Sequence, residues 1–375
     1  MQATGKPSLN HATRSNRSNN AHYRGKGTLE GVISARSARG MHLKVIVLAG
    51  GFGTRLRPWT THRAKPLLPM LDRTLLERVV EALPVDLVDE VLVAAGYGIE
   101  QMREHFASIE TPYPVKIVEE FEPLGTGGAI GNCQARISET FCVMNGDLLS
   151  SVPVAEMLEY HRSQGKMATI SLWEVEDPSR FGVADLGDDG LIRRFQEKPP
   201  REEAFSNMIN AGCYILEPAI FAQMPEGAHS MERDVFTRIA SVGQLSGFSF
   251  EGHFVDAGTP ASWIEGMHVC LEGKRWGSGT AAESGSWMGE GADCDGTLLR
   301  SAVGAHSSID AGSEVTDSSL LSGVAIGAGA KITRCLIGEN ASIGADANLS
   351  DVVVDYGAEI PAGHSQHGGT YPESE

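Results

Sequence analysis

Positive charge is scarce in this chain. Thirty-one Lys and Arg residues face 48 Asp and Glu, for a formal net charge of −17 at pH 7. Nucleic-acid backbones are bound through basic surfaces, so nucleic acid is not expected as a partner. Long hydrophobic runs are missing as well. No apolar stretch approaches the roughly 20 residues that span a bilayer, and no membrane association is expected. Closely spaced cysteines are absent: Cys133, Cys142, Cys213, Cys270, Cys294 and Cys335 include no Cys-x-x-Cys pair. Reduced, mostly buried thiols in a cytoplasmic protein are the expectation. What remains is ample for packing, with 375 residues of which 41% are hydrophobic, so two domains are expected.

Residues 1–40 differ in kind from the rest. They are rich in Ser, Asn, Gly and Arg, carry Lys6, Arg14, Arg17, Arg24, Lys26, Arg36 and Arg39 against the single acid Glu30, and lack apolar periodicity. A disordered N-terminal extension is expected. Its Arg- and Ser-rich character resembles an organelle transit peptide without the apolar core of a secretory signal. Met41, immediately before the first apolar strand, favours an extension upstream of the functional start.

Past Met41 the cations gather at one place. The apolar run Val45 to Leu48 reads as a buried parallel strand that empties into Ala49-Gly50-Gly51-Phe52-Gly53-Thr54-Arg55-Leu56-Arg57-Pro58, and Lys65-Pro66 follows ten residues after Arg55. Glycines let backbone N–H groups approach phosphate oxygens, while Arg55, Arg57 and Lys65 offset their charge. A polyphosphate site is expected here. It is not a Walker loop, because Gly53-Thr54-Arg55 stands where Gly-Lys-Ser/Thr is required. It is not a dinucleotide fingerprint either, because the third glycine is replaced by Leu56.

Strand-like and helix-like segments then alternate: Val91 to Ala95, Val115 to Val118, Phe141 to Met144 and Ala168 to Val175 extended, Glu100 to Phe106 and Val154 to Gln164 helical. Such alternation predicts crossover units and a mainly parallel sheet. Ligands bind beyond the carboxyl ends of such strands, where Gly50 to Arg57 and Asp147 both fall. After a Gly/Ser/Ala-rich stretch the grammar changes. Val303, Ile309, Val315 and Leu321 are six apart, and after a phase slip Ile326, Ile332, Ile337, Ile343, Leu349, Val354 and Ile360 continue in steps of five or six. These steps suit the triangular coils of a β-helix, which is expected to pack on the first domain or on a second subunit.

The glycine-rich loop with Lys65-Pro66 resembles the signature of the sugar-1-phosphate nucleotidyltransferases. The resemblance continues in order through Pro123-Leu124-Gly125-Thr126-Gly127-Gly128-Ala129, Asn145-Gly146-Asp147, Phe195-Gln196-Glu197-Lys198-Pro199, Asn210-Ala211-Gly212, Met231-Glu232-Arg233-Asp234 and Asp256-Ala257-Gly258-Thr259-Pro260. It implies an α/β fold: a doubly wound, mainly parallel Rossmann-like sheet of the nucleotide-diphospho-sugar transferase type, followed by a left-handed β-helix of hexapeptide repeats. The expected division is a catalytic domain at 41–273, a linker at 274–286, the β-helix at 287–365 and a tail at 366–375.

The resemblance also implies roles. Arg55 and Lys65 match positions that hold the triphosphate and neutralise pyrophosphate, and Asp147 and Asp256 match the ligands of a catalytic Mg²⁺. Leu48, Ala49, Gly50, Gly51, Gly53, Thr54, Gly125 and Thr126 match nucleotide-binding positions. Lys198 matches the lysine on the sugar's phosphate, with Glu197, Asn210, Gly146 and Glu232 around the sugar. The stretch Glu120-Phe121-Glu122-Pro123-Leu124-Gly125-Thr126-Gly127-Gly128-Ala129-Ile130, with Met144 to Ser150 and Ser230 to Phe236, looks more like the mannose-1-phosphate guanylyltransferases and their heptose relatives, which implies GTP and mannose 1-phosphate as substrates. A glucose- or heptose-1-phosphate enzyme, and a non-catalytic regulatory paralogue, stay open at this point. The repeats imply a homo-oligomer.

Overall fold

The computed structural model describes residues 43–373, so the expected disorder of residues 1–40 lies outside the described residues. Side chains of β1 (Leu43–Leu48) alternate between two cores, Val45 and Val47 on one face of a nine-stranded sheet and Ile46 on the other, all fully buried. The same two-residue period runs through β2 (Val88–Ala95), then β3 (Val115–Glu119) leads to β4 (Phe141–Asn145), where Cys142 and Met144 join the first core and Phe141 and Val143 the second. A strand buried on both faces reads as a continuous apolar run, which is why these strands were visible in the sequence.

The four strands are parallel in the order β3-β2-β1-β4, and they build the Rossmann-like half. Beyond β4 come a short β5 (Leu148–Ser150), β6 (Ala168–Glu174), β7 (Gly182–Leu186), β8 (Ile192–Glu197), β9 (Met208–Leu216), β10 (Leu245–Ser249) and a short β11 (Phe254–Asp256). β9 joins β4 antiparallel and also carries β6 and β7, so the second half of the sheet is mixed. Helices cover both faces. Leu76 and Val79 of α1 (Leu75–Val80), Met102 of α2 (Ile99–Ser108) and, beyond α3 (Gly125–Asn132), Met157 and Leu158 of α4 (Val154–Gln164) fill the first core. Ala129 and Ile130 of α3, with Val235, Phe236 and Ile239, fill the second. α1 begins with a capping box between Thr74 and Glu77, and α4 ends on Gly165 in the left-handed region, φ 59°.

From Ser286 onward, strands of two or three residues stack in parallel into three sheets, a parallel β-helix whose coils repeat every 17 residues after a first coil offset by 15. Left-handed residues turn the corners, with Arg300, Asp317, Arg334 and Asp351 repeating at one of them. Inside the coils a ladder of serines satisfies backbone groups: Ser318 N–H donates to Ser301 Oγ at 3.1 Å, and Cys335 N–H to Ser318 Oγ at 3.0 Å. The phase slip anticipated at Leu321 disappears. Leu320 is the residue inside the coil, which leaves a regular interior run, while Leu321 points outward against the first domain. The expected tail is also revised, because Ser365–His367 and Thr370–Tyr371 pair with the preceding coil. The aliphatic repeat that marks earlier coils gives way there to Gln366 and Tyr371, so sequence spacing ended too soon. Part of the expected linker is likewise structured: Thr280–Ala282 pairs antiparallel with Ser286–Met288, and Gly277 and Ser278 N–H donate to Asp72 Oδ2 at 2.6 and 2.9 Å.

One face of the β-helix packs on the first domain. Trp287, Ala302, Leu321, Leu336 and Val353 share a core with Trp59, Leu68, Met70 and with Trp263 and Met267 of α5 (Pro260–Glu272). Trp59 is the pin: it is fully buried, meets Trp263 and Tyr356 edge-on at 6.1 and 6.4 Å, and donates from Nε1 to Val354 O at 3.0 Å. Replacing Trp59 with Ala is expected to cost about 3–5 kcal/mol. Because Trp59 lies between Arg57 and Lys65, chemical denaturation and turnover of W59A are both expected to suffer; unchanged unfolding midpoints would contradict the role of this contact.

Candidate functional site

β1 and β4 are neighbours, but the chain leaves β1 toward the β2 flank of the sheet and leaves β4 toward the flank that carries β6 and β9, and a crevice opens beyond their carboxyl ends where the strand order reverses. The two loops meet at a backbone contact. Gly146 N–H donates to Leu48 O at 2.8 Å, and a Cβ on Gly146 would fall 2.7 Å from that oxygen. Only glycine fits, and the close approach sets Asp147 beside the glycine loop. Asp256 arrives from β11, which pairs antiparallel with β5 so that Asp256 faces Leu148 while Ala257 N–H donates to Asp147 O at 3.0 Å. The two aspartates therefore sit at adjacent positions of one small ladder.

Cations surround them. Lys65 Nζ lies 2.8 Å from Asp147 Oδ2 with its side chain almost fully buried. A Cβ placed on Gly258 would meet Arg55 Nη2 and Asp256 Oδ1 at 2.7 Å each, so that glycine leaves room for both. Asp256 Oδ1 is buried without a hydrogen-bond partner. Burial, then the charge of Asp147, pushes the Asp256 carboxyl above the usual range, and Lys65, Arg55 and Arg180 only partly oppose this. The pair is short of positive charge.

The adjoining cleft encloses about 620 Å³, and Arg55, Thr126, Asp147, Glu197, Lys198, Asn210, Glu232 and Asp256 all line it. On its far wall Lys198 Nζ lies 2.9 Å from Glu197 Oε1, and Lys198 takes the left-handed conformation, φ 46°, a strained geometry for a residue with a side chain. A polar chain lies beneath: Asn210 Nδ2 donates to the Tyr214 hydroxyl at 2.9 Å, Tyr214 donates to Glu232 Oε1 at 3.2 Å, and Thr126 and Ser230 hydroxyls donate to Oε2 at 2.6 and 2.7 Å. Burial and the Glu232 charge hold the Tyr214 phenol well above its usual range. Both oxygens of Glu232 are thus engaged within the protein, which suits a positioning role. Similarly, Gly127 and Gly128 N–H donate to His229 O at 3.0 and 3.4 Å, so those two amides at the start of α3 are already taken.

Other expected residues border the cleft without lining it. Leu48, Ala49, Gly50, Gly51, Gly53, Thr54, Gly125 and Gly146 lie along the loops at the strand ends. Gly53 and Gly125 adopt φ of 62° and 69°, which glycine tolerates best. Sequence reasoning missed Asn145, Ser179, Arg180, Phe181 and Phe254 as cleft residues. Arg180 has no partner motif around it; the available signal was a cation in a short loop immediately before a strand. A larger groove of about 920 Å³ runs between Arg73, Glu77 and His105 and the β-helix residues Trp287 and Glu290, away from the aspartates.

Residues 44–272 match the family described as Nucleotidyl transferase, and residues 286–368 match one described as GlmU-like, C-terminal hexapeptide. Mannose-1-phosphate guanylyltransferase 1 of Arabidopsis thaliana is 35% identical over 250 residues, covering 65% of this chain and 69% of the relative. The mannose-1-phosphate guanylyltransferase catalytic subunit beta of Danio rerio is 36% identical over 239 residues, 62% of this chain and 66% of the relative. Among solved structures, HddC from Yersinia pseudotuberculosis complexed with GMP-PN is similar with a TM-score of 0.51 and 28% identity, covering 60% of this chain and 97% of that one. A putative glucose-1-phosphate thymidylyltransferase from Bacillus anthracis has a TM-score of 0.56 and 25% identity, covering 64% and 98%. With the family matched over most of its length, this chain belongs to the nucleotidyl transferases and is an enzyme of the sugar-1-phosphate nucleotidyltransferase type.

Proposed function

We propose that the protein joins GTP and mannose 1-phosphate to give GDP-mannose and pyrophosphate. The observation that carries this reading is the Asp147–Asp256 pair, flanked by Arg55 and Lys65 and open to a cleft whose far wall presents Glu197, Lys198 and Asn210. Guanine and mannose come from the named relatives. In the proposed reaction a phosphate oxygen of the sugar phosphate attacks the α-phosphorus of GTP in line, a new P–O bond forms, and the bond to the β-phosphate oxygen breaks to release pyrophosphate. Lys198 holds the attacking phosphate, Glu197 and Asn210 orient the sugar hydroxyls, and Arg55 and Lys65 neutralise the departing pyrophosphate. Positioning and charge stabilisation supply most of the acceleration in reactions of this kind. Arg180, on the cleft wall, adds a cation for the same phosphates.

The carboxylate pair fits Mg²⁺, which takes one or two carboxylates and completes its shell with phosphate oxygens and water. Among the described residues no cluster of three or more His, Cys, Asp or Glu forms a protein-only metal cage, and Asp256 Oδ1 is an orphaned buried acceptor. When bound, Mg²⁺ withdraws charge from the phosphate oxygens. A cytoplasmic homo-oligomer assembled through the repeats completes the proposal, and the described cysteines, all unpaired, agree with a reducing compartment. No helix among the described residues is long and apolar enough to cross a membrane.

Pyrophosphate release, measured while crossing GTP, UTP, dTTP, ATP and CTP with mannose, glucose and heptose 1-phosphates, is expected to be fastest for GTP with mannose 1-phosphate. Asp147→Asn is expected to lower it on the order of 10²-fold or more, as is typical when a group that organises transition-state charge is removed. Faster turnover of another pair would correct the substrates and leave the enzyme class intact.

Asp256 yields a second expectation, about stability. Its carboxyl is raised in the folded chain, so ionising it opposes folding, and protonation relieves that cost as pH falls through the raised value toward 3.8. In metal-free buffer at pH 7, Asp256→Asn is therefore expected to melt above the wild type while losing activity, with the gap closing toward pH 4. A lower melting temperature at pH 7 would show that the charged pair is not under electrostatic strain.

A further inference from the structure

Asn145, the last residue of β4, lines the cleft but has no part in the chemistry described so far. Its Oδ1 is buried and accepts no hydrogen bond, and among the described residues none engages its Nδ2 either. Leaving a buried acceptor unpaired opposes folding, and such groups are few in native proteins. The neighbouring strand keeps room for this one. β9 runs antiparallel beside β4 with Cys213 opposite Met144, and a Cβ on Gly212 would fall 2.6 Å from Asn145 Nδ2 and would strike Leu148 as well. Gly212 has φ of 65°, so both its backbone and its surroundings call for glycine.

The other polar groups nearby are already engaged. Asn210 Oδ1 accepts from Gly212 N–H at 3.0 Å while its Nδ2 donates to Tyr214, so that carboxamide is fixed at both ends. Both oxygens of Glu232 accept from hydroxyls within the protein, and Glu197 Oε1 lies 2.9 Å from Lys198 Nζ. Of the two carboxamides that line the cleft, Asn145 carries the uncommitted one. A carboxamide sets a donor beside an acceptor. A phosphate oxygen only accepts and would leave Oδ1 unpaired, whereas sugar hydroxyls both donate and accept, so two neighbouring hydroxyls satisfy both ends.

Position decides which hydroxyls these are. Asn145 precedes Asp147 by two residues, and on its other side lies the Asn210-Ala211-Gly212 stretch of β9. In the proposed reaction the phosphate on C1 of the sugar meets the corner at Asp147, so the ring passes over Asn145 on its way to Asn210. The hydroxyls nearest C1 are those on C2 and C3, and the one on C2 is axial in mannose and equatorial in glucose. We propose that Asn145 is a specificity residue that reads the 2-hydroxyl and so separates the two epimers. The assignment rests on the proposal that the cleft takes a hexose 1-phosphate. A site built to hydrogen-bond a hydroxyl discriminates strongly against an analogue that lacks it.

The test uses 2-deoxyglucose 1-phosphate, which lacks the 2-hydroxyl of either epimer. In kcat/KM for pyrophosphate release with GTP, the wild-type enzyme is expected to favour mannose 1-phosphate over this analogue, and over glucose 1-phosphate, by tenfold or more. Asn145→Ala, and Asn145→Leu, which keeps the bulk without the polar atoms, are expected to bring both ratios below threefold. The ratio of mannose 1-phosphate to its 4-deoxy analogue is expected to stay within twofold of the wild type. Because each ratio compares two sugars on the same protein, a general loss of folded enzyme does not move it. A wild type indifferent to the 2-hydroxyl would overturn the assignment of Asn145 alone. So would variants that slow every sugar by one factor, as loss of a metal ligand or of a structural prop does. A wild type that prefers glucose 1-phosphate, with its discrimination against the 2-deoxy analogue lost in the variants, would support Asn145 and correct the proposed sugar. A wild type that turns over no hexose 1-phosphate would overturn this assignment and the proposed function together.

Discussion

The hydrogen bond from Gly146 N–H to Leu48 O is the contact on which the site depends. It joins the ends of two adjacent parallel strands, one leading into the glycine loop and one into the Asn145-Gly146-Asp147 turn, at a separation that admits no side chain. Once those ends touch, Asp147 comes within reach of Lys65, and β5, continuing from the turn, offers an edge to β11 and so to Asp256. Residues separated by more than a hundred positions in sequence become neighbours through one short backbone approach. The order β3-β2-β1-β4 supplies the crevice, and the glycine closes the distance.

Electrostatics at this point works against the fold and for the chemistry. Asp256 is largely buried beside the more exposed Asp147, one of its oxygens has no donor, and the surrounding guanidinium and ammonium groups do not fully offset the charge. Natural proteins retain such conflicts where a ligand resolves them. The net acidity of the chain makes the local concentration of Arg55, Lys65, Arg180 and Lys198 around one cleft more informative than the cation count suggests. The β-helix takes part indirectly. His62 stacks on Tyr356 with ring centroids 4.7 Å apart and bonds Asp355 at 2.8 Å, while Arg63 pairs with Glu339 at 3.0 Å, so the segment between Arg55 and Lys65 is clamped by the coils.

The parallel half of the sheet was legible because strands buried on both faces spell their burial as continuous apolar runs, as in Val45 to Leu48 and Phe141 to Met144. The β-helix was legible through its interior aliphatics, although Leu320 and Leu321 are both apolar and buried and only the structure separates the coil interior from the inter-domain face. Of the site, the glycines and acids were visible because backbone approach and paired charge demand particular residue types. Arg180 was not. It is a charged residue in a short connection, where a solvated surface group looks the same in one dimension, and its significance comes from the cleft that the fold places beside it.

The central claim is that β1 and β4 meet so that a divalent ion and a triphosphate share one corner. Anomalous scattering from Mn²⁺ in crystals grown with a non-hydrolysable GTP analogue tests it most directly. A peak bonded to Asp147 and to Asp256 Oδ1, with the triphosphate lying along Gly50 to Arg55, is the predicted result. A metal peak away from both aspartates, or a triphosphate lying elsewhere with that corner unchanged, would contradict it.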